Sequence, residues 1–390
     1  VANESNFSLK KVSLVKETVQ GEFQTSPKLY NVGVMAISLA PTQKTEQNTE
    51  MAQDGQATAM DTGSLDFAGN MNFKMKTSLV PIILHSVAGK STKADATLDT
   101  WTASTTYLAP ANKYSSGQVV NHSDGLHSLV VKAVSGTGTS GATEPDLTGK
   151  NEYDTVVDNE ITWIVRDKLH KHTGATDQDM QSIGVICEDY SAQNGGSTFM
   201  QYFSGNFFNS FQTGKSNGDI VFKNDIPTVG IGYRDNTQDD WQNITPSSEV
   251  EIKDRPYSFD DMKVEVNGVQ PESASEFTLT LNRNVAVEDE VKQGSKDFNV
   301  PVLTMDGNLR LKFTKEEWAK AFANTTSEVV ITYENRTGDK VILTFPQVKF
   351  MLGTIEKSTD AFTYVSVPLS PSGTVNQKTM TYEVVSSSDW

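Results

Sequence analysis

Gly69-Asn70-Met71-Asn72-Phe73-Lys74-Met75 returns later in the chain as Gly307-Asn308-Leu309-Arg310-Leu311-Lys312-Phe313. In both copies a glycine opens a strict alternation. Met71, Phe73 and Met75 share one face of the first, and Leu309, Leu311 and Phe313 share one face of the second. Period two is the mark of a strand with one face buried. Each copy then enters a stretch with helical spacing, residues 78–88 in the first and 315–323 in the second. In the latter, Trp318, Ala321 and Phe322 fall on one side behind a Thr314-Lys315-Glu316-Glu317 start. Residues 328–333 and 340–345 flank Asn335-Arg336-Thr337-Gly338-Asp339, a hairpin signal. Short gapless matches between alternating strands also arise by chance, so duplication is an expectation for the fold to decide.

A chain of 390 residues suits two or three domains and a large core. Apolar residues make up 36% and charged residues 21%, which describes a folded, β-rich protein and not a disordered one. The formal charge of -16, from 49 acidic against 33 basic residues, repels nucleic acid and anionic membranes as a whole. It is compatible with an acidic wall past which DNA slides, and equally with acidity that serves solubility alone. Cys187 is the single cysteine, so neither an intrachain disulfide nor a cysteine-rich zinc site is possible, and Ile183, Val185 and Ile186 suggest a buried thiol in a strand. No apolar run reaches membrane-spanning length, and Val1-Ala2-Asn3-Glu4-Ser5-Asn6 is too polar for a signal peptide. Synthesis and folding in a cytoplasm are the expectation.

Residues 7–39 carry alternating strand signals. Pro41 to Gly63 loses its apolar residues apart from Met51 and Met60 and reads as a long exposed loop or hairpin, of a kind that orders between stacked subunits. After Gly89 the texture changes. Residues 98–167 hold several short strands between Trp101 and Trp163 and read as a small β module inserted into a first domain. The first domain, 1–97, resumes at 168–248 with the aromatic run Phe199 to Phe211, and a second domain covers 249–390. The fold class expected is mainly β: two sandwich or barrel domains, each with one short helix, plus the small all-β insert.

Candidate chemistry is sparse. His170-x-His172 places two rings on one face of a strand, a pair more often structural than metal-binding without a third ligand. Asp239-Asp240, Asp260-Asp261 and Glu288-Asp289-Glu290 sit in polar, turn-like stretches and read as solvated surface. No nucleophile elbow, phosphate loop or dinucleotide fingerprint occurs, so an enzyme is not expected and no cofactor or metal is assigned.

Two resemblances follow from these residues. Trp101, the Thr105-Thr106-Tyr107 turn, Gly117-Gln118-Val119-Val120, Gly138-Thr139-Ser140-Gly141, Pro145 and the closing Thr162-Trp163 resemble the small carbohydrate-binding-like (chitin-binding-like) module of phage virion proteins. That resemblance implies Trp101, Tyr107 and Trp163 as glycan-facing aromatics, whereas the size of the module points to core filling by the same three. The strand and helix of 69–88, Gly205-Asn206-Phe207-Phe208-Asn209-Ser210, and 264–342 with Gly307-Asn308-Leu309 resemble the tail tube protein of long-tailed bacteriophages. It implies a structural virion protein of the tail, made in the host cytoplasm. Its rings stack into a tube for DNA ejection, with one helix packed outside and a long loop reaching the next ring. Duplicated members close as trimers with pseudo-sixfold symmetry, ordinary ones as hexamers. Tape-measure and tail-terminator proteins are the implied partners, DNA passes without specific binding, and host glycans are possible ligands of the insert. A carbohydrate-binding adhesin is the alternative.

Overall fold

The computed structural model describes residues 8–51, 57–73, 76–113, 115–177, 179–191, 197–216, 219–220, 226–230, 232–237, 244–257, 261–271, 274–289, 296–312, 326–357, 363–373 and 378–390. The chain opens with β1 (Ser8–Lys16), β2 (Lys28–Val32), β3 (Val34–Ile37), β4 (Ala40–Met51) and β5 (Ala57–Phe73). A 3-10 turn, Thr77–Leu79, leads into α1 (Val80–Val87), and β6 (Ser91–Asp95) follows. The insert carries β7 (Asp99–Thr100), β8 (Val119–Asn121), β9 (His127–Val134), β10 (Thr155–Asp158) and β11 (Ile161–Asp167). Next come β12 (His170–Ala175), β13 (Ile183–Ser191), β14 (Ser197–Phe208), β15 (Ser210–Ser216), β16 (Asp219–Ile220), β17 (Ile226–Gly230), β18 (Gly232–Asp235) and β19 (Ser248–Glu251). The last third holds β20 (Met262–Val266), β21 (Ala274–Asn282), β22 (Ala286–Asp289), β23 (Lys296–Asn299) and β24 (Thr304–Lys312). It closes with β25 (Thr326–Glu334), β26 (Lys340–Phe350), β27 (Thr354–Glu356), β28 (Tyr364–Pro371) and β29 (Thr381–Ser386).

One sheet runs β19-β2-β1-β13-β14-β17-β5-β3, with β4 on β5 and β18 on β14. A second runs β16-β15-β21-β24-β28-β26-β29-β12-β6, with β25 joining β20 to β26 and β27 on β28. The protein is mainly β, as its alternating sequence dictates. Sheet membership does not follow chain position: β6, β12 and β15 from the first half pair into the second sheet, and β19 pairs in parallel with β2 in the first. A single hydrophobic core therefore takes Val12, Phe67 and Phe203 together with Leu309, Leu343 and Val367. The insert forms its own five-stranded sheet, β10-β11-β9-β8-β7, over a separate small core.

The two halves of the chain repeat one strand order and parts of its hydrogen-bond register. In the first half the strand order is β1-β13-β14-β17-β5-β3, and in the second it is β20-β25-β26-β28-β24-β21. Ile37 pairs with Met71 and Ala40 with Ala68; Phe277 pairs with Leu309 and Thr280 with Asp306. The same one-residue slip interrupts both ladders, between Val34 and Ala36 and between Ala274 and Glu276. A second matched slip lies between Ile183 and Val185 on β13 and between Ser327 and Val329 on β25. Pro227 stands opposite Asn70, and Pro368 opposite Asn308. A Cβ at Gly69 would lie 2.7 Å from the Ser38 carbonyl carbon, and one at Gly307 2.7 Å from the Thr278 oxygen, so both glycines admit the neighbouring backbone at equivalent points. Such slips bend a strand and re-aim its side chains at the cost of ladder bonds.

The loop or hairpin expected at 41–63 is a hairpin: among the described residues, 41–51 and 57–63 lie on its two arms, β4 and β5, with Pro41 exposed. Met51 and Gly63 lie on opposite arms, β4 and β5 respectively. Helix α1 is buried on every side, and its neighbours satisfy its polar groups. Ser91 donates its backbone N–H to His85 Nδ1 at 3.0 Å, and His85 Nε2 meets Gln181 Oε1 at 2.9 Å. Phe208 donates its N–H to Ser86 Oγ at 3.1 Å. The second expected helix, 315–323, lies outside the described residues, as do Met75 and Phe313. Met71, Leu309 and Leu311 are buried as the alternation requires, and Cys187 is buried on β13, its thiol pushed up to about 12 by burial and then by Asp189.

Candidate assembly site

Strand edges and the segments that leave the sheets are the candidate assembly surfaces among the described residues. Both repeats send out an excursion at the same point. In the first, the strand line of β3 continues into β4 and returns along β5; in the second, β21 leads through the two-stranded β22–β23 and returns along β24. The register equivalence carries Pro41↔Phe67 onto Leu281↔Met305. The second excursion was missed in the sequence because its charged run, Glu288-Asp289-Glu290, masks the short strands, and the signal available was a matching interval between repeat strands.

The repeats meet edge to edge. After β14 leaves the first sheet, the chain turns into β15, which pairs antiparallel along β21 of the second repeat from Ser210↔Asn282 to Lys215↔Phe277. Phe211 and Thr213 are buried at this junction, and Thr213 Oγ1 bonds the Tyr333 hydroxyl. Gly214 is needed there, since a Cβ would lie 2.7 Å from the Thr278 Cα. In the first repeat the strand equivalent to β21 is β3, which among the described residues pairs only with β5.

Charged side chains from the second half cap helix α1 of the first. Asp254 Oδ2 accepts the Ser78 backbone N–H at 2.7 Å, and Tyr257 OH lies 2.6 Å from Thr77 Oγ1. At the other end Arg283 donates to Val87 O and Ala88 O, both at 3.1 Å, and to Asp177 O. A carboxylate at the amino end and a guanidinium at the carboxyl end each complement the helix dipole and satisfy orphan backbone groups. Burial raises the Asp254 carboxyl and lowers the Arg283 guanidinium relative to their ordinary values.

The insert is bolted to the second repeat. Arg166 on β11 makes a bidentate pair with Asp339, Nη1 to Oδ2 at 2.9 Å and Nη2 to Oδ1 at 2.8 Å, and both side chains are fully buried. Its Nε reaches Glu152 at 3.0 Å, and its guanidinium lies 4.7 Å from the centre of the Tyr153 ring. Burial alone would lower this guanidinium; the Asp339 charge and hydrogen bonds more than offset that and raise it. Asp339 also receives Asn335 Nδ2 at 3.0 Å and Thr337 Oγ1 at 2.6 Å, so the hairpin turn read from sequence doubles as a receptor for Arg166.

The three aromatics of the insert are not arrayed as a sugar platform. Trp163 is fully buried and Tyr107 nearly so, their rings edge to face at 5.0 Å in the insert core. Trp101 is half-buried, and both indoles point N–H at Asp158 Oδ2, 3.0 Å from Trp101 and 3.2 Å from Trp163. The glycan-facing reading of Tyr107 and Trp163 gives way to the core-filling one, because so small a module needs its large rings inside. His172 is buried with Nε2 3.0 Å from Ser388 O, and no cluster of three metal-ligating side chains occurs among the described residues. Asp261 is not solvated surface: it is buried, with both oxygens 3.0 Å from Arg255 Nη2. Asp239, Asp240, Asp260 and Glu290 fall outside the described residues. No described helix is long and apolar enough to cross a membrane.

In a comparison with protein families, residues 8–376 match the family described as phage tail tube protein. The chain belongs to that family. Among curated proteins no match is found.

Proposed function

We propose that this member of the phage tail tube family is the major tube subunit of a virion tail, whose rings stack into a hollow conduit for DNA. The observation that carries the reading is a repeated register: one six-strand order occurs twice, with bulges and glycines at matching points, within a single chain. A subunit with two equivalent halves closes a ring of twice as many units as chains, so three chains give a pseudo-sixfold ring. Closure removes free strand edges, the structural hazard of any exposed sheet. The outer parts of the paired excursions, beyond Thr42 on β4 and beyond Asn282 on β21, are assigned to contacts between rings, two per subunit. The insert belongs on the outside, since a separate folded module within the bore would block it. A charge of -16 on the chain suits a wall that DNA passes without binding.

Negative-stain microscopy of the concentrated protein, with light scattering for mass, tests this. Hollow tubes whose rings average to six lobes from three chains are expected. Solid filaments, or rings whose mass corresponds to six chains, would overturn the trimeric ring.

A further inference from the structure

The junction between the two repeats of one chain is a template for the junction between chains. Within the chain, β15 is one arm of a connection from β14 to β17; one of its edges pairs with β16 and the other with β21. The corresponding connection in the second repeat runs from β26 to β28, because Phe208↔Thr228 and Phe350↔Leu369 are equivalent pairs. Its sequence keeps the same punctuation: Phe208 is followed seven residues on by Lys215-Ser216, and Phe350 by Lys357-Ser358. This second arm contains β27, which pairs on one edge with β28 through Thr354↔Ser366 and Glu356↔Tyr364. Among the described residues its other edge pairs with nothing. Two large apolar side chains, Met351 at 41% and Leu352 at 62% exposure, stand in water at its base.

The first arm has its receptor, β21, inside the same chain. The equivalent receptor for the second arm is the line of β3 and the start of β4, which is also unpaired on its outer side among the described residues. We infer that residues 352–357 of one chain add as an antiparallel strand to residues 37–42 of a second copy, in the register that β15 uses on β21. Ser210↔Asn282 becomes Leu352↔Thr42, Gln212↔Thr280 becomes Thr354↔Ala40, and Lys215↔Phe277 becomes Lys357↔Ile37. The contact is head to tail, so it propagates around a ring and is not a self-complementary dimer.

Backbone polarity limits its length. Ser38 donates its N–H inward to Asn70 O at 2.9 Å, so alternation turns the N–H groups of Ile37 and Leu39 outward, with position 41 next in that series. Position 41 is proline and offers only a carbonyl, which ends the ladder there and disfavours shifted registers. Ala40 and Thr354 form a pair with no mutual ladder bonds, where opposing Cβ atoms are close. Both are exposed in the single chain.

This inference rests on the ring-forming reading, and the test separates the two. In the full chain carrying Ala40→Cys and Thr354→Cys, oxidation of the assembled protein should give disulfide-linked species up to a closed trimer on non-reducing gels. Each single-cysteine variant should give none, since Cys187 is buried and unreactive. The shifted pair Ala40→Cys with Glu356→Cys should link at least tenfold less. Leu352→Asp should abolish assembly while leaving the melting temperature of the monomer unchanged. Rings or tubes that form without the 40–354 link, or that link better in the shifted register, would overturn the strand assignment and leave the ring reading standing. Protein that stays monomeric at every concentration and never links would overturn both.

Discussion

Arg166→Met tests whether the insert is bolted to the body or only tethered to it. The substitution keeps the volume of the aliphatic stem but leaves Asp339 as an uncompensated charge that is fully excluded from water. Removing one partner of a buried pair costs about 3–5 kcal/mol, most of it the penalty of stranding the other. Asn335 Nδ2 and Thr337 Oγ1 continue to bond Asp339, which moves the expectation to the lower end, about 3 kcal/mol. Loss of the guanidinium from above the Tyr153 ring adds about 1–2 kcal/mol at this desolvated site. Asp339→Asn alone is milder, because Glu152 still pairs with Arg166. The assay is urea unfolding of wild type, both single variants and the double variant, with hydrogen exchange read separately in 98–167 and 326–350. A coupling energy of about 2–3 kcal/mol is expected, together with faster exchange at the 335–339 turn. Coupling below about 0.5 kcal/mol would refute the bolt, since residues in contact through a buried network couple by more than that.

Gly69→Ala and Gly307→Ala should destabilise by similar amounts, about 1–3 kcal/mol each by chemical denaturation, because each new Cβ meets backbone that cannot step aside; unequal effects, one negligible, would argue against equivalent roles. Arg283→Met should cost about 3–5 kcal/mol by removing several charge-assisted bonds to the end of α1, while Arg283→Lys recovers part of it, measured by thermal melts. His172 is depressed from its ordinary 6.5 to about 4, first by burial. A depressed histidine contributes stability that is present above pH 6.5 and is lost as pH falls through about 4, with a span of about 3 kcal/mol. Urea midpoints of wild type and His172→Phe, compared across pH 7 to 4, should converge as the pH drops, and parallel curves would exclude His172 as the source.

The alternation at Gly69 to Phe73 and Gly307 to Lys312 was legible because period two encodes a buried face whatever the strand's partner is. The turn at 335–339 and the buried setting of Cys187 were legible for the same local reason: turn chemistry and apolar neighbours lie within a few residues. The insert was visible as a change of texture, yet the fate of its rings was not, because a solvent-facing tryptophan and a core tryptophan are the same letter. Burial of Trp163 is decided by how few apolar residues so small a sheet can recruit.

What the sequence determined by itself is the β class and the repeated strand, both properties of side-chain order along the chain. What only the tertiary structure decided is pairing between distant segments: β15 on β21, Arg283 and Asp254 on the ends of α1, Arg166 in the 335–339 turn. These contacts join residues up to nearly two hundred positions apart, and no local periodicity records which edge a strand will find. The matched bulges and the second excursion belong to the same class, since a slip in register exists only once two strands are hydrogen-bonded.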